Sequence, residues 1–307
     1  MSDADTTTQH ADTTTQHADT TTQHVDADSA AATDDFVVLV PLANPRTETH
    51  LITLGAAVAN QRDGRVVAVT IVTVPDQTSL EAARERFEYQ DSRDLLAGAE
   101  RTASEVGASI ETHTVFSHYL FKAVFDAARR YDADVCVMGW GEGLPGVAGR
   151  PEPLVDELAH SLPCDFLVFK DRGFDLSKVL LPTTGGPHTD LAADVARILR
   201  AEFGSELTLL HVADDAEEGR SFLASWAEDH GLADATQRVE VWDAEAAIAT
   251  VAREHTVILI GATEAGVLAR LARGSLTVDV LHDVDCSVLI TERRSRRSLF
   301  ERLFRRR

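Results

Sequence analysis

The stretch VDELAHSLPCDFLVF, Val155 to Phe169, has a counterpart in VDVLHDVDCSVLI, Val278 to Ile290. Each reads as a short amphipathic helix followed by an apolar strand that opens beside a cysteine, Cys164 in one case and Cys286 in the other. The spacing agrees as well, because Gly139 precedes Cys164 by the same number of residues as Gly261 precedes Cys286. Two stretches alike in pattern and in spacing point to a duplicated unit, and the chain on either side bears this out as a pattern.

From Phe36 the apolar residues alternate between strand and helix periodicity. The pattern predicts strand Phe36–Pro41, helix Thr47–Asn60, strand Arg65–Val74, helix Ser79–Val106, strand Ser109–Phe116, helix Leu120–Tyr131 and strand Val135–Gly139. A Gly/Pro-rich loop, helix Leu154–Ser161 and strand Asp165–Lys170 complete the first half. The order restarts with strand Lys178–Pro182, helix Pro187–Glu202, strand Glu206–Val212, helix Glu217–His230, strand Arg238–Trp242 and helix Ala244–Glu254. Strand Val257–Gly261, a loop, helix Leu276–His282 and strand Ser287–Thr291 end it. Short apolar strands separated by amphipathic helices predict an α/β fold, with right-handed crossovers and helices on both faces of parallel sheets. The expected boundaries are a low-complexity tail at 1–34, one domain at 35–171, a linker at Asp171 to Ser177, a second domain at 178–291 and a basic tail at 292–307.

A chain of 307 residues suits two such domains, since a single hydrophobic core seldom grows beyond roughly 250–300 residues. With 44% hydrophobic but only 6% aromatic residues, the cores must be built from Val, Ile, Leu and Ala, as covered parallel sheets are. The net charge is −21, and Lys occurs only at Lys122, Lys170 and Lys178. That acidic, Lys-poor surface predicts a protein of a salt-rich cytoplasm, and it excludes nucleic acid as a partner. No apolar run has the length of a membrane span, and the start lacks a basic-then-apolar leader. Cys136, Cys164 and Cys286 have neither disulfide nor zinc spacing and read as reduced core residues.

The start carries ADTTTQH three times, Ala4–His10, Ala11–His17 and Ala18–His24. A heptad without apolar a and d positions forms no coiled-coil seam, so this tail is expected to be disordered. The end reverses the charge. Residues 292–307 sum to +6, leaving −27 for the rest, and Leu299, Phe300, Leu303 and Phe304 form an apolar stripe between arginines. The segment from 293 to 307 therefore suits an anionic membrane surface or a partner protein, and equally a solvated tail or a contact with the chain's own acidic body.

The segment richest in chemistry is Gly261-Ala262-Thr263-Glu264, followed after nine residues by Gly274-Ser275-Leu276-Thr277. Glycines allow close approach of backbone to phosphate, and a helix starting at Gly274 and Ser275 would offer free N–H groups and hydroxyls to an anion. Ser275 and Thr277 are equally compatible with simple helix capping. A second loop, Thr183-Thr184-Gly185-Gly186-Pro187, fits turn-then-helix chemistry, with a weaker likeness to pyrophosphate loops of ATP-using α/β enzymes. No nucleophile and base are spaced for catalysis, and no metal ligand set is evident. His211 reads as a packing residue, and Trp140 as a cover over the first half's crevice.

On these residues the chain from Phe36 to Thr291 resembles the universal stress protein family. The likeness rests on Gly261, Gly274 and Ser275, the strand-end prolines Pro41 and Pro182, LLHV at Leu209–Val212, and the strand segments CDFLV and CSVLI. The first half, with VPLANPRTETHLITLGAAVANQRDGR, is especially similar to cytoplasmic regions of haloarchaeal amino-acid permeases. The resemblance implies tandem five-stranded parallel sheets of order 3-2-1-4-5 and a sensing rather than enzymatic role. It also implies an ATP or other adenine-nucleotide site, with Mg²⁺ accompanying the phosphates. That site would use Thr183, Thr184, Val212, Gly261, Ala262, Thr263, Gly274, Ser275, Leu276 and Thr277. The halves would pair as an intramolecular pseudo-dimer, with a homodimer and a membrane transporter as further partners, in the cytoplasm or peripherally at the membrane. Departures are Glu264 at the second glycine position and Thr184 where the family has Asp. In the first half, Glu142 and Glu152-Pro153 stand where glycine and Gly-Ser are expected. The alternatives are a ligand-free interaction module and a nucleotide hydrolase or transferase.

Overall fold

Asn44 decides where the first helix begins. Its side chain accepts a hydrogen bond from the Arg46 N–H at 3.0 Å, and Pro45 takes the first helical position, where a missing N–H costs nothing. Helix α1 therefore spans Pro45–Asn60, starting two residues before the sequence expectation. It follows strand β1, Val37–Leu42, in a computed structural model that describes residues 35–86, 90–140, 162–262 and 284–294. The ADTTTQH repeats, the expected helices at 154–161 and 276–282, and the basic tail beyond Arg294 lie outside the described residues.

The rest of the first half comprises β2 (Arg65–Thr73), α2 (Leu80–Arg86), α3 (Gln90–Glu105), β3 (Ile110–Ser117), α4 (Leu120–Arg130), β4 (Val135–Gly139) and β5 (Asp165–Lys170). The single helix expected from Ser79 to Val106 is thus described as two, on either side of residues 87–89. The second half comprises β6 (Lys178–Pro182), α5 (Pro187–Phe203), β7 (Glu206–Val212), α6 (Ala216–Asp229), β8 (Thr236–Glu240), α7 (Ala244–Ala252), β9 (Val257–Gly261) and β10 (Ser287–Glu292). Strand β8 ends before Trp242, whose indole N–H instead donates to Glu240 at 2.7 Å.

The strands lie in one sheet of order β3-β2-β1-β4-β5-β10-β9-β6-β7-β8. Each half has the expected order 3-2-1-4-5, and every pairing inside a half is parallel. The halves join where β5 and β10 run antiparallel, with Phe169 opposite Leu289 and Val168 opposite Ile290. Two apolar layers cover the sheet. One gathers α1, α3, α5 and α6 over residues such as Val38, Leu181 and Leu289. The other gathers α4 and α7 over Leu39, Phe166 and Ile258.

The segment Asp171 to Ser177 is fastened to both halves. Phe174 stacks on the His50 ring at 4.5 Å and meets Phe169 and Phe203 edge-on at 6.0 and 6.4 Å. Asp171 pairs with His50. Ser287 accepts the Arg172 N–H at 3.0 Å and donates to the Gly173 carbonyl at 2.8 Å. Between the helices, Gln61, which caps the end of α1, donates to Glu202 of α5 at 2.6 Å.

Candidate functional site

Strand β6 pairs with β7 on one side and with β9 on the other. From β6 the chain crosses outward to β7, and β9 is reached from the far edge, so the strand order switches between β6 and β9 at their carboxyl ends. In open parallel sheets that is where ligands sit. Five of the residues expected at the site are described, and all lie on this edge. Thr183 follows β6 and is buried. Its N–H donates to the Leu210 carbonyl at 2.8 Å, its hydroxyl oxygen accepts the Gly185 N–H at 3.1 Å, and its carbonyl faces His211 Nδ1 at 2.8 Å. Thr184 is exposed, and Val212, half-buried, ends β7 opposite Glu240. Gly261 ends β9 opposite Thr291, and the buried Ala262 donates its N–H to the Thr291 carbonyl at 2.8 Å. Thr263, Glu264, Gly274, Ser275, Leu276 and Thr277 lie outside the described residues.

The Gly185-Gly186 pair fits its turn role. Both have positive φ, +78° and +89°, which glycine adopts without strain. Gly186 precedes α5, and its carbonyl accepts the Thr189 hydroxyl at 2.9 Å.

A residue the sequence reading passed over dominates this edge. Helix α6 starts on Asp215, whose carboxylate accepts the N–H groups of Glu217 and Glu218 at 2.8 and 2.9 Å. Those bonds hold its pKa below the ordinary carboxylate value. One turn on, Gly219 lets the helix press on the sheet, since a Cβ there would stand 2.7 Å from Val239 and 2.9 Å from Ala213. Residues three apart share a helix face, so Phe222 is carried down to the strand ends. Its ring lies 4.4 Å from the His211 ring and would touch a Cβ on Gly185 at 2.9 Å. The sequence signal was available in the pairing of Gly219 with Phe222, but it acquires meaning only once α6 is placed.

Phe222 and His211 pack together beside Gly185 in the layer of α5 and α6, whereas Ala262 belongs to the opposite layer. The nearby Glu240 carboxylate is occupied by Arg238 and Trp242, each at 2.7 Å, and the Trp242 and Arg238 bonds keep its pKa low. Among the described residues no group of three His, Cys, Asp or Glu is placed to hold a metal ion.

The equivalent edge of the first half is built differently. Gly139 ends β4, with Leu51 3.3 Å from where a Cβ would be. The next residue is Trp140, whose N–H donates to the Phe169 carbonyl at 2.8 Å and whose ring lies under Lys170 Nζ at 5.0 Å. His118 closes the far side by facing the Val74 carbonyl at 3.0 Å.

The root of the basic tail is pinned. Arg293 reaches Asp194 at 3.5 Å and Asp190 at 4.0 Å on α5, and the Arg294 N–H donates to Asp165 at 2.7 Å. Burial raises the Asp165 pKa against the lowering effect of that bond. The cysteines are in the core. Burial raises the Cys136 thiol well above its ordinary value and Cys164 to about 12. Cys286, half-buried, is raised for the same reason. Thiols kept protonated in this way are poor nucleophiles.

Fold and edge together define a tandem α/β protein, two parallel five-stranded units joined strand to strand. The chain belongs to the Universal stress protein family, whose profile matches residues 37–170 and again residues 176–292. Among solved structures, a universal stress protein from Archaeoglobus fulgidus superposes with a TM-score of 0.58 at 17% identity, covering 84% of this chain and 97% of that one. The cytoplasmic domain of a prokaryotic cation chloride cotransporter gives 0.54 at 14% identity, covering 84% and 95%. At these identities the likeness is one of fold. Among curated proteins, the Na(+)/H(+) antiporter NhaS5 of Synechocystis is 27% identical over 186 residues, which is 58% of this chain and 26% of the antiporter. The chain therefore spans about a quarter of that relative's length.

Proposed function

We propose that this chain is a regulatory protein of the universal stress type whose second half binds ATP or another adenine nucleotide and whose partner is a membrane transporter. The observation that supports the nucleotide reading is the switch in strand order at β6, which pairs with β7 on one side and β9 on the other, since ligands of open parallel sheets sit at the strand carboxyl ends of such a switch. Thr183, Thr184 and Val212 border the base. Gly261, Ala262 and Thr263, with Gly274, Ser275, Leu276 and Thr277, would approach the phosphates, and Mg²⁺ bound with them would supply positive charge against the repulsion from Glu264. The protein works by binding rather than catalysis: a nucleotide that prefers one arrangement shifts the population presented to the partner.

The transporter is suggested by the antiporter relative and by the cotransporter domain that shares the fold. An amino-acid transporter, a cytoplasmic location, a salt-rich host and a homodimer of the tandem chain belong to the same reading, as do domain limits at 35–171 and 178–291. Among the described residues no helix is long and apolar enough to cross a membrane. Attachment to the bilayer falls to the segment at 293–307, whose apolar stripe and arginines suit an anionic surface.

Calorimetric titration of the purified chain with ATP, ADP and AMP, with and without Mg²⁺, tests this. Saturable binding that Gly274→Asp abolishes is expected. Heats no larger than dilution for all three nucleotides would sink the nucleotide sensor. A ligand-free interaction module would remain, which the carboxylate of Glu264 in the loop favours.

A further inference from the structure

We propose that the outer edge of β8, with Val241 and Trp242 just beyond it, is a docking site for an extended basic segment of a partner protein, which joins the sheet as a further strand. The sheet has two outer strands, β3 and β8. In the first half the crossover from β2 to β3 holds two helices, α2 and α3, and α2 packs beside β3. The matching crossover from β7 to β8 holds α6 alone. The backbone of β8 serves one neighbour and leaves a place for another. Arg238 stands opposite Leu210 and Glu240 opposite Val212, and the Glu240 carbonyl accepts the Ala213 N–H at 2.9 Å. Alternate residues of a parallel strand turn N–H and C=O to the same side, so Thr236, Arg238 and Glu240 bond toward β7 while Gln237, Val239 and Val241 turn theirs outward. Among the described residues no strand lies against that outward row, and an unpaired row of this kind is a template for pairing.

The end of the strand also carries apolar surface. Among the described residues the exposed large apolar side chains are Val106, Val241 and Trp242, and the last two are adjacent, at 53% and 44% exposure. Trp242 is held in place there, since its indole N–H donates to Glu240 Oε2 at 2.7 Å while Glu240 Oε1 takes Arg238 Nε at 2.7 Å. A ring fixed before the partner arrives lowers the ordering cost of binding. Charge selects the occupant. Residues 213–218 and 240–245, which meet at the Ala213–Glu240 bond, hold seven carboxylates and no Lys or Arg, and Arg238 is engaged by Glu240 and Glu254. A second copy would bring the same charges against these. A segment that alternates apolar residues with Arg or Lys instead pairs its backbone with Gln237, Val239 and Val241, covers the Val241 side chain and sets a cation over the Trp242 ring. Cytoplasmic loops of membrane proteins carry an excess of Lys and Arg. The site thus deepens the transporter reading above, on which the source of the segment rests but the site itself does not.

The test is NMR titration of the full chain with a short peptide of alternating Arg and Val. The controls are a peptide of alternating Glu and Val, and the Arg–Val peptide N-methylated at every residue, which has no backbone donor. Saturable shifts of the Trp242 indole signal and of the Gln237, Val239 and Val241 amides are expected with the first peptide alone, and added salt should weaken them. Trp242→Ala should weaken binding about tenfold. Gln237→Pro, which removes an outward N–H and no bond to β7, should weaken it as well, and thermal melts identify any variant that fails to fold. Equal binding of the Glu–Val peptide would overturn the charge selection, and equal binding of the N-methylated peptide would overturn strand addition. No binding of the Arg–Val peptide to wild type would overturn the site and leave the nucleotide and transporter readings standing. Without peptide, shifts of the same signals that grow with protein concentration would make the occupant a second copy. Shifts caused by Leu303→Asp with Phe304→Asp would make it the chain's own basic tail. Either result would overturn the proposal.

Discussion

Glu48 is a carboxylate placed where water barely reaches. It lies on α1 against α3, 7% exposed, and fits only because Gly98 has no side chain: a Cβ there would stand 2.8 Å from Glu48 Oε2. Burial raises its pKa above the ordinary 4.5, while hydroxyl bonds from Thr102 at 3.3 Å and Thr49 at 3.5 Å pull it down. A group with a raised folded pKa favours folding in its protonated form. Its full contribution is present below the ordinary value and is lost as pH rises through the folded one. Glu48→Gln, which keeps the hydrogen bonds without the charge, should therefore melt at a higher temperature than wild type at pH 7. The advantage should close as pH falls below 4.5. A variant less stable at pH 7 would show that the ionised form is what the helix pair needs. Trp226 on α6 is the opposite case, a buried donor whose indole N–H meets no acceptor among the described residues. Its ring stacks on His230 at 4.3 Å, so the ring matters and the N–H does not. Trp226→Phe should cost less than about 1.5 kcal/mol and Trp226→Ala about 3–5 kcal/mol in chemical denaturation. A Phe variant as damaged as Ala would reveal a partner for the N–H.

At the scale of elements, helix α6 shows what a sequence reveals and withholds. Its alternation with β7 and β8 is legible, because apolar periodicity is local, although the expected start at Glu217 falls one residue inside the helix that Asp215 caps. The same holds for the strands, whose runs of Val, Leu and Ile between turn residues place β4, β5, β6, β7 and β9 at their expected limits. The height and rotation of α6 are not local. They follow from Gly219 meeting Val239 and Ala213, residues it touches only in the folded sheet, and Phe222 reaches Gly185 only as a result. For the same reason Thr183 and Ala262 were legible as positions just past strand ends, whereas the contact of Phe222 with His211 and Gly185 was not. Gly219→Ala tests the argument. Its Cβ must push α6 off the sheet, at a cost of about 1–3 kcal/mol in a packed interior. The lift should separate the Phe222 and His211 rings, seen as a shift of the His211 resonances in NMR spectra. Unchanged stability and unchanged His211 signals would mean the contact is softer than the close packing implies.

Across the whole molecule, the β5–β10 junction turns two domains into one sheet. The four central β5 side chains, Phe166, Leu167, Val168 and Phe169, are at most 1% exposed, and Val288, Leu289 and Ile290 of β10 at most 3%. An edge this apolar is an invitation to pair when left bare, and within the chain the second half supplies the partner strand. Phe174, stacked on His50 and edge-on to Phe169 and Phe203, fastens the linker that keeps that strand in reach. A homodimer of the tandem chain would therefore have to use another surface, since both central edges are already spent on each other. Residues 35–171 produced alone would regain a free β5 edge. Because β5 already pairs antiparallel with its counterpart β10, a second copy of β5 can take the same place about a two-fold axis. Light scattering should therefore give the mass of a dimer for this fragment, with Val168→Lys returning it to a monomer. A fragment that stays monomeric and folded at micromolar concentration would mean that the apolar edge can be masked from within one half, and that the pairing of the halves depends on the linker contacts more than on the strands.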